Sequence, residues 1–420
     1  MADKTKKKMG ILVGGGPAPG INSVIGAATI HAELAGVEMV GIQDGFEWLM
    51  EGDLSHTQPL ATKDISRSHF RGGSIIGISR ANPTKKEELI DRCVQSLQRL
   101  NVDKLVTIGG DDTGFSAYKL EQKSKGQISV VHVPKTIDND LDLPAETFTF
   151  GFQTARHVGV EIVKNLMVDA RTTHRWYFVI AMGRKAGHLA LGIGKSMGAT
   201  LTLVPEEFPS GRLALKTIVD TLVGAIVKRL SDGLRDGVAV LAEGLVEKLD
   251  EVDLADLPEI ERDAHGHIRI AEVNIGEILK AQVHARLKEF GIKATIVAKN
   301  IGYELRCCDP IPFDMEYTRD LGFYAARHLL AGGTGALISI QNGKFKPIPF
   351  GEILDPQTGR TRVRMVDVTS DGFRTAAAYM IRLRKPDFDD AQALARHAAT
   401  AHLAPDEFKR QFSHLIEAGR

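Results

Sequence analysis

Three stretches of the chain gather side chains able to move a phosphoryl group. Gly109-Gly110-Asp111-Asp112-Thr113 and Pro134-Lys135-Thr136-Ile137-Asp138-Asn139-Asp140 place four carboxylates and a lysine in one short span. Gly14-Gly15-Gly16-Pro17-Ala18-Pro19-Gly20-Ile21-Asn22 adds a glycine-rich turn whose backbone N–H groups can face phosphate. Carboxylates crowded together repel and desolvate badly, so a charged, metal-bound ligand is expected among them. Phosphoryl transfer needs the charge on the moving group neutralised, usually by Mg²⁺. That ion favours one or two carboxylates and keeps several waters, which suits Asp111. Asp138 can take the proton of an acceptor hydroxyl. Thr136 can donate to a phosphoryl oxygen, and Lys135 can meet charge building on the donor or the leaving group. Arg80, Arg175, Arg184 and Arg306 offer forked hydrogen bonds to a phosphorylated substrate, and Glu243 can accept from sugar hydroxyls. Any one of these residues, judged alone, reads as a surface charge or a cap; the combination carries the chemistry.

The surrounding pattern says how they are positioned. Lys104–Ile108 and Ile128–Val133 read as strands, with a helix at about Thr113–Lys125 between them. Such a βαβ unit presents both following loops at the carboxyl edge of a parallel sheet, where ligands of open α/β sheets bind. Met9–Val13 and Val37–Ile42 flank a second unit opened by the glycine-rich turn. That turn is no dinucleotide fingerprint, because Pro19 stands at the third glycine position, and no Gly-Lys-Ser/Thr closes it as a P-loop. Arg71-Gly72-Gly73-Ser74 and Gly77-Ile78-Ser79-Arg80 form another glycine-rich, basic loop. Further strands are expected at Arg175–Met182, Thr200–Val204, Asp236–Ala242, Ala294–Ile301 and Gly335–Gln341. The first ends in Gly183-Arg184-Lys185-Ala186-Gly187-His188, the third in Glu243-Gly244, the fourth in Gly302-Tyr303-Glu304-Leu305-Arg306. Gly41–Leu60 is expected as a loop with a short helix, and Thr84–Leu100 as a helix capped by Thr84. Repeated strand, polar loop and helix make a doubly wound α/β pattern throughout.

Composition narrows the partners. The 420 residues balance 53 Lys+Arg against 53 Asp+Glu, so no global basic field draws nucleic acid or an anionic membrane. No run of apolar residues is long enough to expect a membrane span. The three cysteines, Cys93 and the adjacent Cys307 and Cys308, form neither a disulfide framework nor a zinc pattern, which favours a reducing compartment such as the cytoplasm. The lysine-rich start is expected to be a disordered tail rather than a signal peptide. Lys248–Arg269 reads as a charged insertion, and its His265 and His267 as solvated rather than metal-binding.

Taken as a set, GGGPAPGIN (14–22), GGDDT (109–113), PKTIDND (134–140), AMGRKAGH (181–188), AEG (242–244) and GYELR (302–306) resemble the 6-phosphofructokinase family in order and spacing over about residues 9–345. The resemblance implies two similar doubly wound α/β domains with the active site in the cleft between them. It also implies Mg²⁺-dependent transfer of a phosphoryl group to the 1-hydroxyl of fructose 6-phosphate, in glycolysis or gluconeogenesis. The implied division is residues 1–149 plus about 306–360 for the phosphoryl donor, and 150–305 plus about 361–420 for the sugar phosphate. Carried over by position, Gly16 contacts the donor and Asp111 the Mg²⁺, while Thr136, Ile137 and Asp138 line the acceptor site, with Asp138 as base. Met182, Gly183, Arg184, Glu243, Tyr303 and Arg306 would bind the sugar phosphate. Arg80 would belong to the donor loop, and Arg175 to the sugar phosphate of a neighbouring subunit in a homodimer or homotetramer. ATP-using members carry GGDG and PGTIDND, whereas Asp112 and Lys135 stand here. A carboxylate adds bulk and negative charge where the α-phosphate of ATP would lie, and the lysine adds a cation useful to pyrophosphate. The chain therefore resembles the pyrophosphate-using branch. An ATP-dependent sugar-phosphate kinase and a catalytically silent regulatory subunit are the competing expectations, and sedoheptulose 7-phosphate is a competing acceptor.

Overall fold

The structure is a computed structural model and describes residues 7–144, 147–208, 214–250, 253, 273–353, 355 and 361–418. The first six residues and the histidines His265 and His267 lie outside the described residues. The chain divides into two compact units. Unit 1 comprises Met1–Ala155 and Tyr303–Arg364, and unit 2 comprises Arg156–Gly302 and Met365–Arg420.

In chain order the described strands are β1 (Lys8–Val13), β2 (Met39–Ile42), β3 (Thr57–Leu60), β4 (Val102–Gly109) and β5 (Ser129–Pro134) in unit 1. Unit 2 follows with β6 (Arg175–Ala181), β7 (Leu201–Leu203), β8 (Gly237–Ala242) and β9 (Thr295–Ile301). The chain then returns to unit 1 with β10 (Ala336–Leu337), β11 (Ile340–Gln341), β12 (Lys344–Phe345) and β13 (Ile348–Pro349). The sheet of unit 1 runs β13-β10-β5-β4-β1-β2-β3, parallel except at the two edges, where β3 and β13 pair antiparallel. The sheet of unit 2 runs β7-β8-β6-β9 and is parallel throughout. The central strands read as near-continuous apolar runs because helices cover both faces of such sheets; β6 and β8 are buried almost from end to end.

Register decides which residues meet. Val13 of β1 pairs with Ile108 of β4, and Gly109 of β4 with Pro134 of β5, so the loops opened by Gly14, Gly110 and Lys135 leave one edge together. In unit 2, Ala181 pairs with both Ala242 and Ile301, which groups Met182, Glu243 and Gly302 in the same way. Each unit has its own core. Leu12, Leu97, Leu105, Leu120, Val130 and Leu337 belong to one, and Phe178, Leu222, Leu241, Leu279, Phe408 and Phe412 to the other. In unit 1 the Ile21–Leu34 helix lies so close to the Pro312–Leu330 helix that a side chain at Gly322 would strike the Val24 carbonyl.

Several elements differ from the sequence expectation. The helix after β4 begins at Asp111, not Thr113, so Asp111 and Asp112 occupy its first turn, where the helix dipole favours negative charge. The stretch expected as a loop after β2 contains β3. Thr84 is not the cap of a long helix: the Asn82 side chain accepts from the Thr84 N–H at 2.9 Å and caps a short 3₁₀ turn, and the helix proper is Glu87–Arg99. The strand expected over Gly335–Gln341 breaks into β10 and β11. Asn342 (φ 51°) and Gly343 (φ 71°) then turn β11 back onto β12, as an Asn-Gly pair favours. Tyr303–Arg306 is a helical turn rather than an open loop.

Candidate active site

At the carboxyl edge of the unit 1 sheet the three motif loops interlock around one buried cation. Lys135 is 3% exposed, its N–H donates to the Gly109 carbonyl at 2.7 Å, and its Nζ donates to the Gly16 carbonyl. Burial, with the nearby Arg306 and Arg80 guanidinium groups, pulls its pKa down to about 7, against the opposing pull of Asp138. Thr113 wedges between the strand ends, filling the space a side chain at Gly14 or Gly109 would need. A side chain at Gly16 would come within 2.9 Å of an Arg306 guanidinium nitrogen. Arg306 in turn lies 4.6 Å over the ring of Tyr303, which is itself exposed. Arg80 follows a segment tied to the same edge, since the Gly15 N–H donates to the Ser79 carbonyl at 2.8 Å.

The loop that carries Asp138 is held from within. The Thr136 hydroxyl accepts from the Asp138 N–H at 3.0 Å, and the Thr149 hydroxyl donates to the Thr136 carbonyl at 2.7 Å. Asn139 takes positive φ (55°), and its side-chain oxygen accepts from the Thr149 N–H at 3.1 Å. Arg364 donates to the Thr147 carbonyl at 2.8 Å, to the Asn139 carbonyl at 3.2 Å and to the Asn139 side chain. Ile137 is buried, while Thr136 and Asp138 are half-buried.

Asp111 is half-buried and Asp112 exposed, and the Asp112 N–H donates to the Asp111 carboxylate at 2.9 Å. Among the described residues no group of three metal-binding side chains occurs. Mg²⁺ does not require one, because it takes one or two carboxylates and completes its shell with water and substrate phosphate. The hard oxygens at this helix start fit that ion.

In unit 2 the corresponding edge is tied through backbone. The Met182 N–H donates to the Ile301 carbonyl at 3.1 Å, and the Gly244 N–H to the Gly183 carbonyl at 3.1 Å. Gly183 has φ of 132°, a conformation glycine adopts freely, and its N–H donates to the Glu243 carboxylate at 3.4 Å. Glu206 clamps the far end of the loop, accepting from the Gly187 N–H at 2.9 Å and the Val366 N–H at 3.0 Å. Burial raises the pKa of Glu247, against the charges of Arg184 and Lys185 and with that of Glu243. Arg184 itself is exposed.

The structure thus brings Gly16, Asp111, Asp112, Lys135, Thr136, Ile137 and Asp138 to one edge, and Met182, Gly183, Arg184 and Glu243 to another. Tyr303 and Arg306, expected with the sugar phosphate, belong to unit 1, where Arg306 lies beside the Gly16 loop. Arg175 stands at the opposite end of β6 from Arg184, with its Nε 3.7 Å from the Asp169 carboxylate. Sequence reasoning missed Thr107, His132, Thr149 and Arg364. The first two could have been noticed as polar residues inside apolar strands, since a buried polar group is the informative exception. Arg364 lies far along the chain from the loop it holds.

Comparison with known proteins adds the following. The model of the family described as phosphofructokinase matches residues 8–329. A Thermotoga maritima protein named pyrophosphate–fructose 6-phosphate 1-phosphotransferase is 52% identical over 416 residues, covering 98% of this chain and 99% of that protein. The structure of a pyrophosphate-dependent phosphofructokinase from Marinobacter aquaeolei matches with a TM-score of 0.68 and 16% identity, over 90% of this chain and 92% of that one. A phosphofructokinase from Saccharomyces cerevisiae matches with a TM-score of 0.67 and 20% identity; 99% of this chain is covered, but it spans only 50% of the yeast chain. The two structural matches bear on the fold alone.

Proposed function

The chain belongs to the phosphofructokinase family, and we propose that it transfers a phosphoryl group reversibly between pyrophosphate and the 1-hydroxyl of fructose 6-phosphate, giving fructose 1,6-bisphosphate and phosphate. The observation that carries this reading is the buried Lys135, whose Nζ sits on the Gly16 carbonyl beside Arg306 and Asp112's helix. A cation buried next to a glycine turn is poised for an anion, and a donor without a nucleotide needs that extra charge. Asp112, in the first helical turn, adds a carboxylate where ATP-using relatives keep glycine.

Asp138 takes the proton of the 1-hydroxyl as that oxygen attacks the phosphorus of pyrophosphate. The bridging P–O bond breaks, and Lys135 meets the charge that collects on the leaving phosphate. A bound polyanion favours the charged form of Lys135, so the lysine is an ammonium when the donor is present. Thr136 donates to a phosphoryl oxygen. Asp111 would hold Mg²⁺, which neutralises the phosphate charges when bound. Met182, Gly183, Arg184 and Glu243 hold the sugar phosphate, with Tyr303 and Arg306 completing it. Arg175, at the amino end of its strand, serves a neighbouring copy in a homodimer or homotetramer. The donor half is then residues 1–149 with about 306–360, and the reaction belongs to glycolysis or gluconeogenesis in the cytoplasm. No described helix is long and apolar enough to cross a membrane.

The reverse direction tests the reading. Incubated with fructose 1,6-bisphosphate, phosphate and Mg²⁺, the protein should release pyrophosphate, visible by phosphorus NMR as a new resonance. Release of the sugar's phosphate without pyrophosphate would contradict it.

A further inference from the structure

His132 is a polar side chain inside the apolar strand β5, 1% exposed, in a place the reaction does not reach directly. Its Nε2 lies 3.0 Å from the Gly109 carbonyl and its Nδ1 lies 2.9 Å from the Thr107 hydroxyl, Thr107 being its partner across the β4–β5 ladder. A carbonyl only accepts, so Nε2 carries the proton, and Nδ1 is left to accept from the Thr107 hydroxyl, which also lies 3.2 Å from the Val131 carbonyl. Burial holds the ring neutral, with its pKa pushed down to about 3. The ring also lies beneath the first turn of the Asp111–Ser124 helix. A side chain at Gly114 would meet it at 3.2 Å. The Gly109 carbonyl thus takes two donors, the His132 ring and the Lys135 N–H at 2.7 Å, one residue before the Gly110-Asp111-Asp112 turn.

We propose that His132, oriented by Thr107, is a positioning residue for the donor half of the site: it fixes the Gly109 carbonyl and thereby the lines of approach of Lys135 and the Asp111 turn to pyrophosphate. This rests on the donor reading above. The ring touches the end of β4 and the start of the Asp111–Ser124 helix, which carry the donor-side groups, so its loss is expected to act first on the donor.

The test compares wild type with His132→Leu, which removes the donor, His132→Gln, whose amide can restore a donor near Nε2, and Thr107→Val, which frees the ring while keeping its shape. Binding of pyrophosphate with Mg²⁺ is measured by calorimetry without sugar, and KM is measured for both substrates. Losing one buried hydrogen bond at the turn should weaken pyrophosphate binding about tenfold in His132→Leu. The KM for fructose 6-phosphate should stay within about twofold. His132→Gln should recover most of the loss, and Thr107→Val should show a smaller shift in the same direction. Thermal melts identify any variant that fails to fold, and the other two then decide. Equal pyrophosphate binding by the folded variants, or a parallel rise in both KM values, would overturn the proposal. If wild type binds no pyrophosphate, the donor reading itself fails and the proposal falls with it.

Discussion

The two functional edges of the molecule are built by different means. That of unit 1 is locked by side chains, three of them buried: Lys135 on Gly16, Thr113 between two strand ends and His132 beneath a helix start, with the half-buried Arg364 across the Asp138 loop. That of unit 2 is tied mainly through backbone N–H groups, Met182 to the Ile301 carbonyl, Gly244 to the Gly183 carbonyl, and Gly183 and Gly187 to the Glu243 and Glu206 carboxylates, with Arg184 left exposed. The contrast matches the proposed chemistry. Small, highly charged pyrophosphate demands fixed charges at close range, and preorganised groups are worth most where water is excluded. A sugar phosphate offers more atoms to grip, and an exposed arginine can reach for its phosphate.

This comparison is most severely tested at the base. Asp138→Asn keeps the loop's shape and removes the proton acceptor, so kcat should fall about 10²- to 10⁴-fold while binding of fructose 6-phosphate persists. Retained turnover would strip Asp138 of its role. Lys135→Met comes next, with a loss of about 10²- to 10³-fold in turnover with pyrophosphate. It also has a signature in stability. The folded-state pKa of about 7 lies below the ordinary lysine value of 10.5, so between them the unfolded chain binds the extra proton. Wild-type stability without ligand should therefore rise with pH across that window, with the full penalty present below pH 7. The Met variant lacks the penalty, so its unliganded melting temperature should exceed wild type most at pH 6 and converge with it above pH 10. A wild-type advantage at pH 6 would show that Lys135 is well solvated. Arg184→Ala should raise the KM for fructose 6-phosphate about tenfold and leave pyrophosphate binding alone; a change in both would blur the two edges into one. The smallest effect is expected from Thr149→Val, which removes a hydroxyl bridging Thr136 and Asn139. It should destabilise by about 1 kcal/mol in a denaturant melt with little loss of activity.

Much of this was legible in the residues. The apolar runs of β1, β4, β5, β6 and β8 announced parallel, buried strands, and parallel strands bring their following loops to one edge. Motif loops such as Pro134–Asp140 therefore stood out before any fold was known. What escaped depends on distance along the chain or on local competition. Arg364 reaches the Asp138 loop from far downstream, and no short-range pattern signals it. Thr84 looked like a helix cap, but Asn82 captured its N–H and Pro83 began a separate turn. The acids at 111 and 112 looked like loop residues because helix starts tolerate Asp as readily as loops do. Arg306 shows the same limit: its motif implied a sugar-phosphate role, and no local pattern announced that its guanidinium would also lie beside the Gly16 turn and near Lys135.

The central claim is that Asp112 and Lys135 set the phosphoryl donor. Initial rates with fructose 6-phosphate and Mg²⁺, comparing pyrophosphate with ATP at matched concentrations, test it directly. The account predicts turnover with pyrophosphate and none with ATP; turnover with ATP alone would contradict it.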